Sequence, residues 1–512
     1  MNPTLADRWR QAVAANADGT FLVWEGPDGS VHEWTYAEFD ALAARVAGGL
    51  LERGAEAGST VHLVLANSPA FVAVWLAAVG LGATIVPSDP GATAPELAGH
   101  IERTAPAVAV VGVDRLAVYE QGAAALSAPP VVVAVGEDDT ELAPLSGNPV
   151  RWDERRRPGA FDRAAVMFTS GTTSAPKGVV VTQANYAFAG DVMAAAAGLA
   201  KDDRQLVVLP LFHANAQYYS FASAISAGAS VALMSSFSAS GFLAQAARHG
   251  ATHASLFAAP MRMILARGAT PVVGLQLRHC WYAQNITGDQ YETLAGLLGC
   301  RPRQLYGMTE TIPAVLTSRA LGPVPSLMGE PTIGCRVDIA NPDDGTPVPV
   351  GEVGEVVVGG EPGSTLFAGY LDDPQTTERA YRDGWFLTGD LARRDALGRF
   401  EFAGRRSDVL KVAGENVSVV EVESVLGEHP SVLEVAVVGE PDDIRDEVPV
   451  GYVVVHPEGA SVDSAELLAW CEARLAKSKR PQRIELVDEL PRTSVGKIRK
   501  FLLQRGSQVT ST

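Results

Sequence analysis

Thr169-Ser170-Gly171-Thr172-Thr173-Ser174-Ala175-Pro176-Lys177-Gly178 follows an apolar run at 165–168 and leads into a second one. Hydroxyls and glycines in such a stretch can wrap phosphate oxygens, and Lys177 supplies positive charge. The Gly-Lys-Ser/Thr ending of a Walker A loop is absent. A plain solvent-exposed turn is the competing reading, but it leaves the flanking strand signals unexplained. Outward from this stretch, β-branched runs at 108–111, 131–135, 206–209, 231–234 and 255–258 alternate with helix-length amphipathic segments. That alternation predicts an α/β fold: a large N-terminal domain of doubly wound sheets covered by helices. Between 342 and 369 short strands and Gly-rich turns predict a small β-rich subdomain. The expected partition is a core over 1–404 with that subdomain at 342–402, a hinge at 405–409, a mobile α+β domain over 410–507 and a tail at 508–512.

The 512 residues exceed what one hydrophobic core usually serves, and the composition is that of a globular protein. A net charge of -18 argues against nucleic acid and anionic membranes as partners, so a phosphate-bearing substrate must meet local positive groups. Only seven lysines stand among forty-one basic residues, and four of the seven, Lys177, Lys411, Lys497 and Lys500, fall in segments with motif character. Cys280, Cys300, Cys335 and Cys471 show no metal-site or disulfide-scaffold spacing and read as reduced thiols. The first thirteen residues lack the apolar core of a signal peptide, which makes a cytoplasmic location the expectation. Two charge-poor stretches, 71–87 and 205–245, are too short or too interrupted to span a bilayer and read as buried helices and strands.

Five further segments stand out: Tyr306-Gly307-Met308-Thr309-Glu310, Trp385-Phe386-Leu387-Thr388-Gly389-Asp390 with Arg405 beyond it, Lys411-Val412-Ala413-Gly414-Glu415-Asn416-Val417, Pro491 through Lys500 with Lys497 in its centre, and Pro210-Leu211-Phe212-His213. Taken singly, each has an ordinary explanation. A Thr-Glu pair or an Asp before a turn caps helices, a basic loop is solvated, and a lone His is often a satisfied core residue.

Their order along the chain resembles the acyl-adenylate-forming superfamily of acyl-CoA synthetases, peptide-synthetase adenylation domains and luciferases. The likeness runs from Trp34-Thr35-Tyr36 to Lys500 and is nearest to the crotonobetaine/carnitine-CoA ligase branch. It implies an ATP-dependent acid–CoA ligase that forms acyl-AMP, and cofactors ATP/AMP, Mg²⁺ and coenzyme A. By this resemblance Thr169, Ser170, Gly171, Thr172, Thr173 and Lys177 meet phosphates, while Tyr306, Gly307 and Met308 hold the adenylate. Thr309 bonds the α-phosphate, and Glu310 is the metal ligand, a hard oxygen suited to Mg²⁺. Asp390 binds the ribose and Arg405 reaches the same nucleotide. Lys411, Gly414 and Glu415 face the thiol substrate, Gly414 allowing close passage of a pantetheine arm. Lys497 is the adenylation lysine, and His213 gates the acyl site, where Ala214, Ala216, Ala283 and Gly288 leave room for a bulky acid.

Three departures qualify the resemblance. Ser174 replaces a common Gly, Ser407 stands at the hinge where Asp or Lys is usual, and Ala283-Gln284-Asn285-Ile286-Thr287 replaces a Gly-Gly-Ala-type loop against adenine. The last keeps open an enzyme confined to thioester formation from a supplied acyl-adenylate. A stand-alone enzyme charging a carrier protein shares every motif, and a non-catalytic nucleotide-binding protein conflicts with intact Lys177, Glu310, Asp390 and Lys497. The expected partners are a small carboxylic acid or its adenylate and CoA. A basic cluster of Arg474, Lys477, Lys479, Arg480 and Arg483 is weighed as a CoA phosphate contact against a solvated surface, and a homodimer is compatible with the sequence.

Overall fold

A computed structural model describes residues 2–124, 126, 128–152, 157–169, 176–319, 322–406, 409–412, 415–442, 445–456, 462–492 and 498–504. These fall into two compact units, Met1–Val337 with Val358–Phe386, and Asp338–Val357 with Leu387–Thr512.

Two sheets organise the first unit. One has seven strands, ordered Gly369–Tyr370, Lys177–Thr182, Arg163–Thr169, Thr84–Pro87, Thr60–Val64, Val108–Gly112 and Val131–Val135. Its last five strands are parallel and its first three are joined antiparallel. The other sheet runs in parallel from Arg303–Tyr306 through His279–Ala283, His253–Phe257, Arg204–Val207 and Ser230–Met234 to Thr20–Glu25, which pairs antiparallel with Val31–Thr35. Parallel strands buried on both faces account for the near-continuous apolar runs in the sequence.

The charge-poor stretch after residue 68 is the helix Pro69–Leu81, apolar all round because it is buried all round. Ser68 caps it by accepting the Phe71 N–H, Pro69 opens it, and Gly82 ends it at φ 75°. Among the described residues no helix is long and apolar enough to cross a membrane.

The second unit contains an antiparallel ladder that pairs 390–394 with Phe400–Arg405 and a five-stranded sheet built from Val409–Val412, Glu415–Ser418, Val432–Asp442, Asp446–Val455 and Arg483–Leu486. Its core gathers Val417, Val422, Leu426, Val437, Val453 and Leu467. Packing groups 338–357 and 387–406 with the C-terminal strands, across the expected core boundary at 404. The physical reason is contact across that boundary: the Ser418 hydroxyl donates to the Ala403 carbonyl at 3.3 Å, and Gly404, at φ 117°, leaves its open side against Ser418 and Val420.

In the first unit, loops leaving the carboxyl ends of parallel strands converge, the place where open α/β sheets take ligands. Asn67 fixes that edge. Its buried amide donates to the Leu209 and Met234 carbonyls, both at 3.1 Å, and accepts the Leu211 N–H at 2.8 Å. Removing it orphans three buried backbone groups. Asn67→Ala is expected to cost about 2–4 kcal/mol of stability, read as a lower urea midpoint at unchanged slope. An unchanged midpoint would mean that water replaces the amide.

Candidate active site

The strands Arg163–Thr169 and Lys177–Thr182 pair with Thr169 opposite Lys177, and the Thr169 hydroxyl donates to the Lys177 carbonyl at 3.4 Å. The hairpin thus presents both ends of the phosphate-binding stretch side by side. Ser170, Gly171, Thr172 and Thr173 lie outside the described residues. The Lys177 ammonium stands 4.8 Å from the centre of the Tyr370 ring, a cation–π contact. Tyr370 arrives there because its short strand pairs Tyr370 with Val179 and Gly369 with Val180.

The Tyr370 hydroxyl donates to Glu310 Oε1 at 3.1 Å. Burial, and then the Glu310 charge, push the Tyr370 phenol above its ordinary range, so it stays protonated and keeps donating. Glu310 is 5% exposed and lies in the turn Thr309–Thr311, where its backbone carbonyl accepts the Phe367 N–H at 3.0 Å. Around this turn the chain is tightly specified. An added Cβ on Gly307 would sit 2.9 Å from the Pro313 carbonyl and from the Tyr219 hydroxyl, so only glycine fits. Thr311 bonds both the N–H and the carbonyl of Met308, and the buried Ile312 is held at φ 72°, a costly conformation for a β-branched residue. Tyr306, Met308 and Thr309 are half-buried beside it.

One carboxylate, a neighbouring threonine and a nearby ammonium suit a Mg²⁺ that takes its remaining oxygens from water and phosphates rather than from a protein cage. No group of three acidic, His or Cys side chains that could hold a metal occurs among the described residues. Tyr370, which links Glu310 to Lys177, was missed by sequence reasoning. A Gly-Tyr pair in a Gly-rich stretch gives no signal of which strand it will join.

Gln304 pins the loop after His279–Ala283 by donating to the Gln284 carbonyl at 3.0 Å and to Asn285 Oδ1 at 3.1 Å. Ala283 is half-buried, while Gln284 and Asn285 are exposed, and Gln284 is in the left-handed region at φ 73°. His213 is half-buried with its ring 4.2 Å from that of Phe212. Next to it a π-helix, Asn215–Ala222, begins with Asn215, whose amide is 5% exposed and has no partner on either end among the described residues.

Gln205 donates to the Tyr219 carbonyl of this helix at 3.5 Å and pairs in register with His253, which puts alternate residues Ser255 and Trp281 on the same covered face. Ser255 Oγ and Trp281 Nε1 are likewise buried and without partners among the described residues. Of the small residues expected around an acyl pocket, Ala214 and Ala283 are half-buried and Ala216 is buried. Gly288 is exposed at the first turn of Gly288–Leu298, where an added Cβ meets nothing.

In the second unit the antiparallel register sets Asp390 opposite Arg405, and the two form an ion pair at 2.9 Å with Asp390 buried. The buried Glu355, also missed in the sequence, accepts the Gly389 N–H at 2.9 Å and pairs with Arg406 at 3.2 Å. Lys411 and Glu415 lie on the hairpin Val409–Val412 and Glu415–Ser418, pairing with Asn416 and Val412. Gly414, Ser407 and Lys497 lie outside the described residues. Most of the basic cluster is neutralised: Lys479 pairs with Glu421 at 2.7 Å, Arg483 with Glu440 and Glu485, and Arg480 with Glu472, while Arg474 covers the Trp470 ring.

The family described as AMP-binding enzyme matches residues 9–371, and its C-terminal domain matches 421–497. A crotonobetaine/carnitine–CoA ligase from Citrobacter koseri is 31% identical over 97% of this chain and 98% of its own length. Among solved structures, ATP-bound MatB from Rhodopseudomonas palustris is 27% identical with a TM-score of 0.88, covering 98% of both chains. The o-succinylbenzoate CoA synthetase from Bacillus subtilis, in complex with its acyl-adenylate intermediate, is 27% identical with a TM-score of 0.83, covering 97% of both.

The left-handed Gln284 costs about 1–2 kcal/mol that glycine would not. After the extra backbone entropy of glycine is subtracted, Gln284→Gly is expected to stabilise the chain by about 0.5–1 kcal/mol. Thermal unfolding checks this, and a lower midpoint would mean that the Gln284 side chain contributes more than its backbone costs.

Proposed function

The chain belongs to the AMP-binding enzyme family, and from that premise we propose that it joins a carboxylic acid to coenzyme A with ATP, through an acyl-AMP intermediate. It is an acyl-CoA ligase, and the observation that carries its chemistry is the line from Lys177 through Tyr370 to Glu310. The acid's carboxylate attacks the α-phosphorus, the bond to pyrophosphate breaks, and acyl-AMP forms. The CoA thiol then attacks the acyl carbonyl, AMP leaves, and the thioester is released.

Lys177 is assigned to the departing phosphates and Thr309 to the α-phosphate. Glu310 would hold a Mg²⁺, which would supply neutralisation of phosphate charge. Asp390 and Arg405 are assigned to the ribose, and Lys411, Gly414 and Glu415 to the thiol substrate. Lys497 offsets the charge that grows as phosphorus becomes pentavalent. Turning of residues 410–507 about 405–409 serves the two steps in succession. A chain limited to thioester formation, or one charging a carrier protein, is not favoured beside a full-length relative named as a CoA ligase. A cytoplasmic setting is proposed on the four unpaired cysteines.

On the acyl side, the unpartnered Asn215, Ser255 and Trp281 favour an acid carrying a hydrogen-bonding group over a hydrocarbon, because a buried polar group left unpaired is costly. The test is thioester formation across an acid panel that pairs each polar acid with its apolar isostere. Asn215→Leu is expected to narrow the preference for the polar member about tenfold. A wild-type preference for the apolar member overturns the assignment.

Lys497→Ala is expected to slow acyl-AMP formation by about 10²–10³-fold, the worth of about 2.7–4 kcal/mol for one placed donor, and to spare thioester formation from supplied acyl-AMP. Pyrophosphate release and thioester appearance, timed separately, decide it. Equal losses in both steps would assign Lys497 to a common structure instead.

A further inference from the structure

The helix Ala94–Thr104 carries two side chains that meet the phosphate hairpin. His100 lies flat on Phe168, with ring centres 4.0 Å apart and planes 5° from parallel, and the Arg103 guanidinium stands 4.9 Å from the same ring. Phe168 immediately precedes Thr169 at one end of the phosphate-binding stretch. At the other end, Arg103 Nη1 donates to the Pro176 carbonyl at 2.5 Å. Proline has no N–H, so this carbonyl is the only backbone group through which residue 176 can be held. Lys177 is its direct neighbour. One arginine therefore grips the strand that enters the stretch and the residue that leaves it.

The helix is in turn held by a buried chain of hydrogen bonds. His100 Nδ1 meets Ser88 Oγ at 2.8 Å, Ser88 Oγ meets His62 Nε2 at 2.8 Å, and His62 Nδ1 meets the Tyr119 hydroxyl at 3.0 Å. Burial lowers His62 to about 3 and His100 to about 4, so both rings are neutral at pH 7, and the positive charge over Phe168 comes from Arg103. Thr169 and Lys177 are already paired by the ladder, and Arg103 adds a contact at each end of it.

We propose that Arg103 is a positioning residue for the ATP-dependent half-reaction: by tying Phe168 to Pro176 it sets where the Lys177 ammonium stands relative to the departing phosphates. The proposal rests on the ligase reading above. Arg103 touches no substrate in it, and the effect passes through the Pro176 carbonyl and the Phe168 ring to Lys177. A guanidinium suits this task better than an ammonium, because its planar face covers the ring while one edge N–H reaches the carbonyl.

Two steps are measured apart in the full chain: pyrophosphate release from ATP and acid, and thioester formation from supplied acyl-AMP and CoA. Arg103→Gln is expected to raise the ATP KM for pyrophosphate release about tenfold or more and to leave thioester formation from acyl-AMP within twofold of wild type. Arg103→Lys, which keeps the charge but loses the planar fork, should fall between the two. Phe168→Leu removes the ring without touching Arg103, and it should reproduce the same split if Arg103→Gln fails to fold. Equal losses in both steps would make Arg103 a merely structural contact and overturn the proposal, as would an ATP KM unchanged in Arg103→Gln. Wild-type protein that forms thioester from acyl-AMP but releases no pyrophosphate would instead overturn the ATP-dependent reading itself.

Discussion

The antiparallel pairing that sets Thr169 opposite Lys177 is the constraint on which the first unit's chemistry depends. A parallel sheet alone would carry the chain away from the carboxyl edge after each strand. Here one hairpin reverses it, so that a hydroxyl and an ammonium stand together at that edge. The strand Gly369–Tyr370 then adds to the outer side of the hairpin and brings in a phenol. That phenol bridges a cation on its own sheet and a carboxylate from the turn Thr309–Thr311, two groups far apart in the chain.

The turn that carries Glu310 and the loop after His279–Ala283 are tightly held. Gln284 and Ile312 are both held at positive φ, and Gly307 is pressed between Pro313 and Tyr219. Such conformations persist only where the surrounding structure over-determines them. Asn67, Gln304 and Thr311 supply that determination by bonding backbone groups of the loops, Gln304 also bonding the Asn285 side chain. The π-helix at 215–222 contributes a second kind of irregularity, a widened turn common at functional sites.

The second unit uses different means. Asp390 and Arg405 meet because they face each other across an antiparallel ladder, so the pairing of an acid and a base fifteen residues apart follows from strand register. Glu355 lies buried beneath them and holds the backbone at Gly389 and the side chain of Arg406. A carboxylate so placed is stable because both of its oxygens have donors, one a main-chain N–H and one a guanidinium.

Much of the fold was legible in the sequence because it depends on local pattern. Strands at 108–112 and 131–135 and the capped helix Pro69–Leu81 are announced by β-branched runs, a Ser-Pro start and a Gly stop. Lys177, Glu310, Asp390 and Arg405 were singled out for another reason, since the chemistry assigned to them needs particular residue types in a particular order along the chain. Tyr370, Glu355, Asn215 and Arg103 were not. Each draws its meaning from a neighbour brought by strand pairing or helix packing: Tyr370 from Glu310, Glu355 from Gly389, Asn215 from the covered face that carries Ser255 and Trp281, Arg103 from Phe168 and Pro176. The grouping of 338–357 and 387–406 with the C-terminal strands belongs to the same class, because it is decided by contacts such as Ser418 on Ala403 that no local signal encodes. The sequence by itself determined which groups the chain possesses and which segments become strands and helices, since hydrophobic period and residue chemistry are local properties. Only the tertiary structure decided which of those groups meet, because register and packing join residues that are distant along the chain.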